Sequence, residues 1–400
     1  MPEAEPATAL HRQALIVAAL GFTQILAFGT TIYLPTVLAK PVAADTGWPL
    51  AWVVGGLSLG MLAAGAVSPW VGRRIQRHGG RLVMAGSSLL LAAGLAMQAA
   101  APSLPVYHAG WLVTGLGMGS GLYDAAFATL GRLYGRAARN AITTLTLYGG
   151  FASTICWPFS AYMAERFGWR EVCLVYAALH LLAAFPLHLL MLRSAPGAAA
   201  SPKAAADDPG SPALSVSQRR SYLILLSITM SGSTAASVVS VHVVTLLEAR
   251  DVAFATAVAL AALIGPSQVG ARFVEMAFGR RYHPIFTLLT ATALVAAGLA
   301  LLLADAPLLA MGLVLYGAGN GIWSIARGTV PLALFGPSRY GIVIGRLALP
   351  ALLVQAAAPP LGTILMGRYG ADATISLLAG LALCNVGLAA TLWLNARHPP

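Results

Sequence analysis

Apolar runs of about twenty residues recur along the chain, and short polar or Pro/Gly-containing links separate them. A helix that crosses a bilayer needs about 20 mostly apolar residues. The first run is longer than the ~7–15 apolar residues of a signal peptide, so we interpret it as a spanning helix. The pattern predicts twelve spans, near 13–38, 50–72, 82–101, 107–131, 140–163, 169–192, 221–247, 253–278, 285–304, 308–334, 341–366 and 373–395.

One link differs from the others in composition. Residues 194–219 are rich in Ala, Pro, Ser and Asp, and such a segment cannot bury enough apolar surface to fold. We expect a flexible cytoplasmic linker there. It divides the chain into an N-terminal six-helix bundle at 1–193 and a C-terminal six-helix bundle at 220–400. The predicted fold class is an all-α membrane protein with two pseudo-symmetric bundles.

Composition and charge support a membrane protein rather than a soluble one. Hydrophobic residues make up 58% of the chain and charged residues 9%, whereas soluble domains have about 25% charged residues. The net charge of +11 could suggest nucleic acid as a partner. The Arg residues, however, lie at the ends of apolar runs, which is typical of cytoplasmic loops in membrane proteins. We therefore expect a lipid bilayer as the environment, no nucleic acid, and both termini in the cytoplasm.

The two halves repeat short patterns on either side of the linker. Transporters are often built from such repeats, with the substrate site between them. One set recurs 200 residues later: Gly119, Gly121, Tyr123 and Thr129 match Gly319, Gly321, Trp323 and Thr329. A second recurs after 202 residues: Pro158, Arg166, Phe167 and Gly168 match Pro360, Arg368, Tyr369 and Gly370.

Twelve helices in a repeated arrangement, with a long central link, resemble the major facilitator superfamily. The superfamily carries a Gly-x-x-x-Asp-Arg-x-Gly-Arg type signature between helices two and three. In this chain Gln76 replaces the Asp and Gly80 replaces one Arg. The resemblance implies that this loop locks the cytoplasmic side of one state, and Gln76 implies a weaker or differently made lock. The matching residues are Gly72, Arg77, Gly79 and the trailing Arg81.

Several stretches resemble a bacterial branch related to monocarboxylate porters, among them GWPLAWVVGGLSLGMLAAGAVSP, GLYDAAFATLGR and SQVGAR. That resemblance implies a bacterial inner-membrane protein in which Arg272 on helix eight meets the substrate carboxylate. Gln268, one turn earlier, and Tyr123 on helix four would assist it. The stretches GLYDAAFATL and GGFASTICWP also resemble transporters associated with arsenite efflux. The antiporter signature of helix five is absent.

Ionisable side chains inside a span cost about 2.5–3.5 kcal/mol and usually face inward with a partner. In the superfamily, helices one, four, seven and ten line the cavity. Asp124 on helix four and Arg327 on helix ten lie at similar depth, so we expect a gating or coupling pair across the two halves. The alternative is a static pair near the helix ends. The ionisable residues well inside the spans are Asp124, Arg272, Glu275, Arg327 and Arg346.

Arg272 and Glu275 lie three residues apart, within reach on one helix surface. Either they neutralise each other, or Arg272 binds an anionic substrate and Glu275 orients it. His242 is a candidate for proton coupling because histidine is the side chain most often used to exchange protons near physiological pH. His180 and His188 on helix six are interpreted as packing or interface residues. Further cavity candidates, chosen by helix, are Gln24, Asn320 and Trp323.

Gly115, Gly117, Gly119 and Gly121 precede Tyr123 at a spacing of two, so they cannot share one helix face. We expect them to allow close packing on several sides. The cysteines, Cys156, Cys173 and Cys384, lie outside the usual cavity helices, so we expect no three-thiolate arsenite site and no other metal site.

We interpret the chain as a secondary active transporter of a small molecule. The preferred substrate is a small monocarboxylate or related organic anion, and the alternative is efflux of arsenite or another toxic small molecule. The coupling ion is expected to be a proton, with no cofactor and a monomeric state. A membrane-embedded enzyme is a remote alternative that predicts a motif such as HExxH or a GxSxG elbow. The sequence has no HExxH, and its GxSxG match at residues 56–60 lies inside an apolar run, without the strand before it that such an elbow needs.

Overall fold

The computed structural model describes residues 4–192, 214–304 and 306–397. A π-helical turn, His180–Ala184, lies in the sixth span. Before the linker the described chain forms α1 (Ala4–Thr30), α2 (Leu34–Thr46), α3 (Leu50–His78), α4 (Arg81–Ala99), α5 (Leu104–Gly121), α6 (Tyr123–Tyr134), α7 (Ala138–Gly150), α8 (Ala152–Phe167), α9 (Trp169–Leu179) and α10 (Phe185–Met191).

The predicted linker lies outside the described residues as far as residue 213. Helix α11 begins at Val216, earlier than predicted, because Ser215 and Gln218 form a capping box. After the linker the described chain forms α11 (Val216–Glu248), α12 (Phe254–Ala261), α13 (Ile264–Phe278), α14 (Pro284–Leu301), α15 (Ala306–Phe335) and α16 (Pro337–Arg397).

The helices account for all twelve predicted spans, so the all-helical, twelve-span prediction is confirmed. The first span comprises α1 and α2, the fourth α5 and α6, the fifth α7 and α8, and the eighth α12 and α13. The sixth comprises α9, the π-turn and α10, while α16 contains the eleventh and twelfth. Nine stretches of the described chain are long and apolar enough to cross a membrane. The nine stretches do not include the fourth and fifth spans, and the eleventh and twelfth spans count as one stretch.

The described residues group into two compact units. The first contains α1 to α10 and also Phe335–Leu352, the beginning of the eleventh span. The second contains the rest of the chain after the linker. The eleventh span is therefore shared between the units, at a position between Leu352 and Leu353.

The glycines of α5 allow close helix packing, as the sequence predicts. A Cβ on Gly115 or Gly119 would overlap the backbone of α3, and a Cβ on Gly117 or Gly121 would overlap side chains of α4. Alternate glycines thus face two different neighbours. The spacing of two matches this arrangement, because each second residue advances about 200° around a helix.

The repeat at the end of the fifth and eleventh spans also appears in the structure. Gly168 and Gly370 both have positive φ angles, 101° and 83°. Only glycine adopts such angles without strain. Each glycine ends one span and begins the next, so the predicted match at this position is structural as well as sequential.

Each unit joins its first and last spans through an ion pair. In the first unit, Asp45 near the end of α2 pairs with Arg170 at the start of α9 and accepts a 2.9 Å hydrogen bond from Nε1 of Trp169. In the second unit, Arg250 follows α11, and its Nε lies 3.1 Å from Oδ1 of Asp372 in the twelfth span. The positions correspond in the repeat, but the signs of the charges are exchanged.

Candidate functional site

Several spans are interrupted near their middle. In the first span, Pro35 of α2 has no N–H for a helical bond to Thr31, and the chain leaves the α-helix there. In the eighth span, Pro266 stands in the same relation to Ala262, where α12 gives way to α13. At membrane depth, irregular backbone is tolerated only where protein or water satisfies its polar groups. Interrupted helices therefore often mark the binding sites of transporters.

The fourth span is interrupted at Leu122, whose backbone is extended (φ −77°, ψ −171°). The N–H of Ala125 bonds to the Leu122 carbonyl at 3.1 Å rather than continuing the helical ladder to Gly121. The Gly121 carbonyl instead accepts a 2.6 Å hydrogen bond from Nε2 of Gln24, which is fully buried on α1. Oε1 of Gln24 is buried and has no hydrogen-bond partner among the described residues. The predicted cavity residue Gln24 thus lies at this interruption.

Tyr123 begins α6 directly after the interruption. Its hydroxyl donates to the Thr146 carbonyl in the fifth span at 3.1 Å. Its ring stacks on Phe127 with the centroids 5.0 Å apart and lies 4.6 Å from the ring of Phe28 on α1. Tyr123 therefore connects the first, fourth and fifth spans at the level of Gln24.

An aromatic cluster continues from Phe28 along the interruption in the first span. Tyr33 lies 6.4 Å from Phe28 and 5.8 Å from Trp157, measured between ring centroids. Nε1 of Trp157 donates to the Tyr33 carbonyl at 3.2 Å, which satisfies a backbone group in the irregular segment. The hydrophobic pattern of the sequence does not predict this cluster. Pro35 was its available signal, since it predicts a break inside the first apolar run.

Asp124 lies in the first turn of α6 and is partly buried. A helix carries a partial positive charge at its N-terminus, so a carboxylate in the first turn is stabilised there. The interruption at Leu122 creates this N-terminus inside the span. Asp124 is thus compatible with the membrane interior before any cationic partner is considered. Arg327 is partly buried on α15. Its pairing with Asp124 stays a prediction.

In the second unit, Arg272 is 7% exposed on α13. Its Nε donates to the Gly321 carbonyl on α15 at 3.3 Å. A Cβ on Gly321 would overlap the backbone of Gln268, so α13 and α15 touch at this point. Asn320 adjoins Gly321 and is partly buried. The structure therefore brings three predicted substrate residues, Gln268, Arg272 and Asn320, to one helix crossing.

Glu275 is held from another direction. Its Oε1 accepts a 2.6 Å hydrogen bond from Thr287 on α14, whereas the Nε of Arg272 is directed to α15.

Two further candidates of the second half of the chain lie elsewhere. Trp323 lies further along α15 and approaches Gly232 on α11. Arg346, also expected inside a span, is exposed on α16.

His242 on α11 binds the backbone of the eleventh span. Its Nε2 lies 2.9 Å from the Pro359 carbonyl, which identifies this nitrogen as the donor. One turn away, Ser237 donates to the Gln355 carbonyl at 2.9 Å. Gln355 is four residues before Pro359, and proline has no N–H for that carbonyl. Ser237 thus replaces the hydrogen bond that the proline removes.

A family model described as Major Facilitator Superfamily matches residues 19–322. The chain belongs to this superfamily. It is therefore a multi-pass membrane transporter and not an enzyme. No curated protein sequence matches it significantly.

Solved superfamily structures share the fold across nearly the whole chain. The human organic anion transporter MFSD10 (TETRAN) has a TM-score of 0.72 at 20% identity, covering 94% of this chain and 99% of its own. The proton:xylose symporter XylE has a TM-score of 0.72 at 11% identity, covering 97% and 96%. The transporter FucP in the outward conformation has a TM-score of 0.73 at 12% identity, covering 95% and 98%. At these identities the likeness shows the fold alone.

The loop between the second and third spans contains the predicted superfamily signature. Gly79 has a φ of 85°, which only glycine adopts without strain, and it ends α3. Nε of Arg81 donates to the Leu189 carbonyl near the end of α10 at 2.9 Å. Arg77 is exposed. A Cβ on Gly72 would overlap the backbone of the eleventh span, so the second and eleventh spans are in close contact.

Gln76, which replaces the signature aspartate, is buried against the start of the eleventh span. Its Oε1 accepts from the N–H of Gly341 at 2.9 Å, and its Nε2 donates to the Pro337 carbonyl at 3.1 Å. Arg132 also donates to the backbone carbonyl of Gln76. The contact is thus made differently from the superfamily pattern, through a neutral amide that bonds a donor and an acceptor.

Proposed function

We propose that this superfamily transporter carries a small organic anion of the monocarboxylate class by alternating access, driven by a proton gradient. It acts as a monomer in a bacterial inner membrane, with both termini in the cytoplasm. The distribution of basic residues between the loops supports this orientation.

The observation that carries the substrate proposal is the buried Arg272. Its Nε donates to the backbone carbonyl of Gly321, which orients the guanidinium at this crossing. The carboxylate of Glu275, one turn away, accepts a hydrogen bond from Thr287. A planar guanidinium binds a carboxylate with two parallel hydrogen bonds. Gln268 and Asn320 belong to the two helices of the same crossing, and we propose their amides as further donors.

Among the structural neighbours, one is described as an organic anion transporter and another as a proton:xylose symporter. Because the identities are 20% or less, the substrate proposal rests on Arg272 rather than on these names.

Proton coupling is proposed for Asp124, with Arg327 as a second coupling residue. A carboxylate at a helix start inside a span stays ionised while a positive group or helix dipole faces it, and takes up a proton when that group moves away. His242 is the second candidate, since its contact with the eleventh span involves one ring nitrogen.

The test measures thermal stabilisation of the detergent-purified protein by lactate, pyruvate, succinate, arsenite and antimonite. We compare wild type with Arg272→Ala and Arg272→Lys. Monocarboxylates should stabilise the wild type saturably. Arg272→Ala should weaken their binding by about tenfold or more, because a charge-assisted hydrogen bond contributes about 1.5–3 kcal/mol. Arg272→Lys, which keeps the charge but not the planar fork, should lie between them.

Unchanged lactate affinity in Arg272→Ala would exclude the carboxylate assignment. Stabilisation by arsenite or antimonite alone would favour the metalloid alternative and leave Arg272 with a structural role. In that case the substrate would be recognised as a neutral hydroxide, since Cys156 and Cys173 are buried in the first unit and Cys384 is exposed in the second.

A further inference from the structure

Two histidines of the sixth span lie in the interior of the first unit. His180 is 1% exposed and His188 is 4% exposed. A polar side chain at this depth is costly unless it is hydrogen-bonded inside the protein. The partners of both histidines lie on other spans, so their role extends beyond filling space.

His188 connects three spans. Its Nε2 lies 3.0 Å from Oγ1 of Thr23 on α1, and its Nδ1 lies 3.0 Å from Oγ of Ser88 on α4. The Thr23 hydroxyl donates its own proton to the Leu20 carbonyl at 2.9 Å. Its oxygen is therefore an acceptor, so Nε2 of His188 carries a proton. Nδ1 then accepts from Ser88, whose other acceptor, the Met84 carbonyl, is farther away at 3.5 Å.

His180 makes the corresponding contact with the end of α1. Its Nε2 lies 2.9 Å from Oγ1 of Thr30, whose hydroxyl donates to the Leu26 carbonyl at 2.9 Å. The same reasoning places the proton of His180 on Nε2. Its Nδ1 has no hydrogen-bond partner in the described part of the chain. Among the described residues, Thr30 is thus the one side chain that hydrogen-bonds this imidazole.

The π-turn explains why both histidines reach the same face of α1. Thr23 and Thr30 are seven residues apart, nearly two full turns of an α-helix, so they share a face. Residues eight apart, such as His180 and His188, would be rotated by about 80° in a regular α-helix. The turn His180–Ala184 is π-helical and therefore contains one residue more than an α-helical turn. The additional residue removes most of this rotation, so His180 and His188 lie on the same face of the sixth span. The result is two parallel contacts, which we call the histidine ladder.

The segment of α1 held by the histidine ladder carries the candidate site. Gln24 follows Thr23 and binds the Gly121 carbonyl at the interruption of the fourth span. Phe28 packs on Tyr123. Thr30 is the last residue of α1 before the irregular segment. The ladder therefore fixes α1 on one side while the fourth span contacts it on another.

We propose that His180 and His188 are positioning residues for the substrate site, because they set the rotation and depth of α1 and so the placement of Gln24 against the fourth span. Their relevance to substrate rests on the proposed function. The positioning itself is independent of which substrate is carried.

The first experiment measures hydrogen–deuterium exchange by mass spectrometry on the full-length protein in lipid nanodiscs. His180→Ala and His188→Ala should increase exchange about tenfold in peptides covering 24–33, since each removes a buried hydrogen bond from this segment. His180→Gln and His188→Gln keep an amide N–H that can donate to the threonine, and should stay within about twofold of wild type. Gln98→Ala, which removes a bond to Thr114 elsewhere in the unit, is the matched control.

Thr30→Val is the second variant, because it removes the acceptor of His180 at nearly constant volume. It should increase exchange like His180→Ala even if the histidine variants are poorly produced. Wild-type exchange in 24–33 for the alanine and valine variants would overturn the proposal. A uniform increase across all helices, shared by the glutamine variants, would also overturn it by showing a general stabilising role.

A second readout separates positioning from substrate class. With L-lactate as the probe, His180→Ala should raise the apparent Kd at least about fivefold, while His180→Gln restores it. Restored local order in His180→Gln without restored binding would overturn the link to the substrate site. If lactate does not stabilise even the wild type, the proposed function fails, and the exchange measurements still decide whether the histidines position α1.

Discussion

The amide of Gln76 provides a contact whose strength can be worked out and tested. Gln76→Ala removes two buried, neutral hydrogen bonds, to Gly341 and Pro337. Each such bond contributes about 0.5–1.5 kcal/mol net. The backbone groups released are not left without partners. Pro337 and Gly341 are four residues apart in a helix, so the carbonyl and N–H can bond each other.

The expected loss is therefore about 1–3 kcal/mol, without the additional penalty of a buried unsatisfied group. If the contact is present in one state of the transport cycle and absent in the other, this loss changes the ratio of states by a factor of about 5–160. The change should favour the state in which the second and eleventh spans separate.

The assay is double electron–electron resonance, which measures the distance between spin labels attached at the exposed positions 78 and 338, in place of His78 and Ser338. Gln76→Ala should increase the population of the longer distance. Gln98→Ala, which also removes a buried glutamine but not at this contact, should leave the distribution unchanged. An unchanged distribution in Gln76→Ala, with normal folding, would show that the amide does not contribute to the balance between states.

Further substitutions test the packing, the proline contact and the coupling residue. Gly115→Ala should destabilise the protein by about 1–3 kcal/mol because the Cβ overlaps the backbone of α3, whereas Gly55→Ala, which meets nothing within 4 Å, should be neutral in the same thermal unfolding assay. Ser237→Ala should cost about 1–3 kcal/mol by leaving the Gln355 carbonyl without its donor, and Ser237→Thr should retain most of the stability. Asp124→Asn should flatten the pH dependence of uptake into proteoliposomes more than it weakens substrate binding; an unchanged pH profile would remove Asp124 from the coupling mechanism.

The span pattern could be predicted from the sequence because lipid imposes a simple requirement on length and polarity. The match of Gly168 with Gly370 could also be predicted from the sequence, and the structure shows that both glycines adopt a positive φ. The interruptions at Pro35 and Pro266 had a local signal in the sequence, but averaging hydropathy over a whole run conceals a break inside it.

Other parts of the site had no local signal. The interruption at Leu122 contains no proline, and the glycines before it contact α3 and α4, which the sequence alone does not place beside them. The alignment of His180 with His188 depends on a π-turn, which an α-helical period of 3.6 does not anticipate. Arg272 was identified through its cost in the membrane, but its contact with Gly321 required the fold.

The exchanged charges of the two end-span ion pairs bear on how the chain assembles. Because the two halves are similar, the first span of one half could pair incorrectly with the last span of the other. In that arrangement Asp45 would face Asp372, and Arg250 would face Arg170. Both encounters are between like charges, so wrong pairings are repelled while correct ones are attracted. Opposite polarity at nearly matching positions thus adds a small electrostatic preference for spans of the same half to pair, since exposed ion pairs contribute about 0–1 kcal/mol.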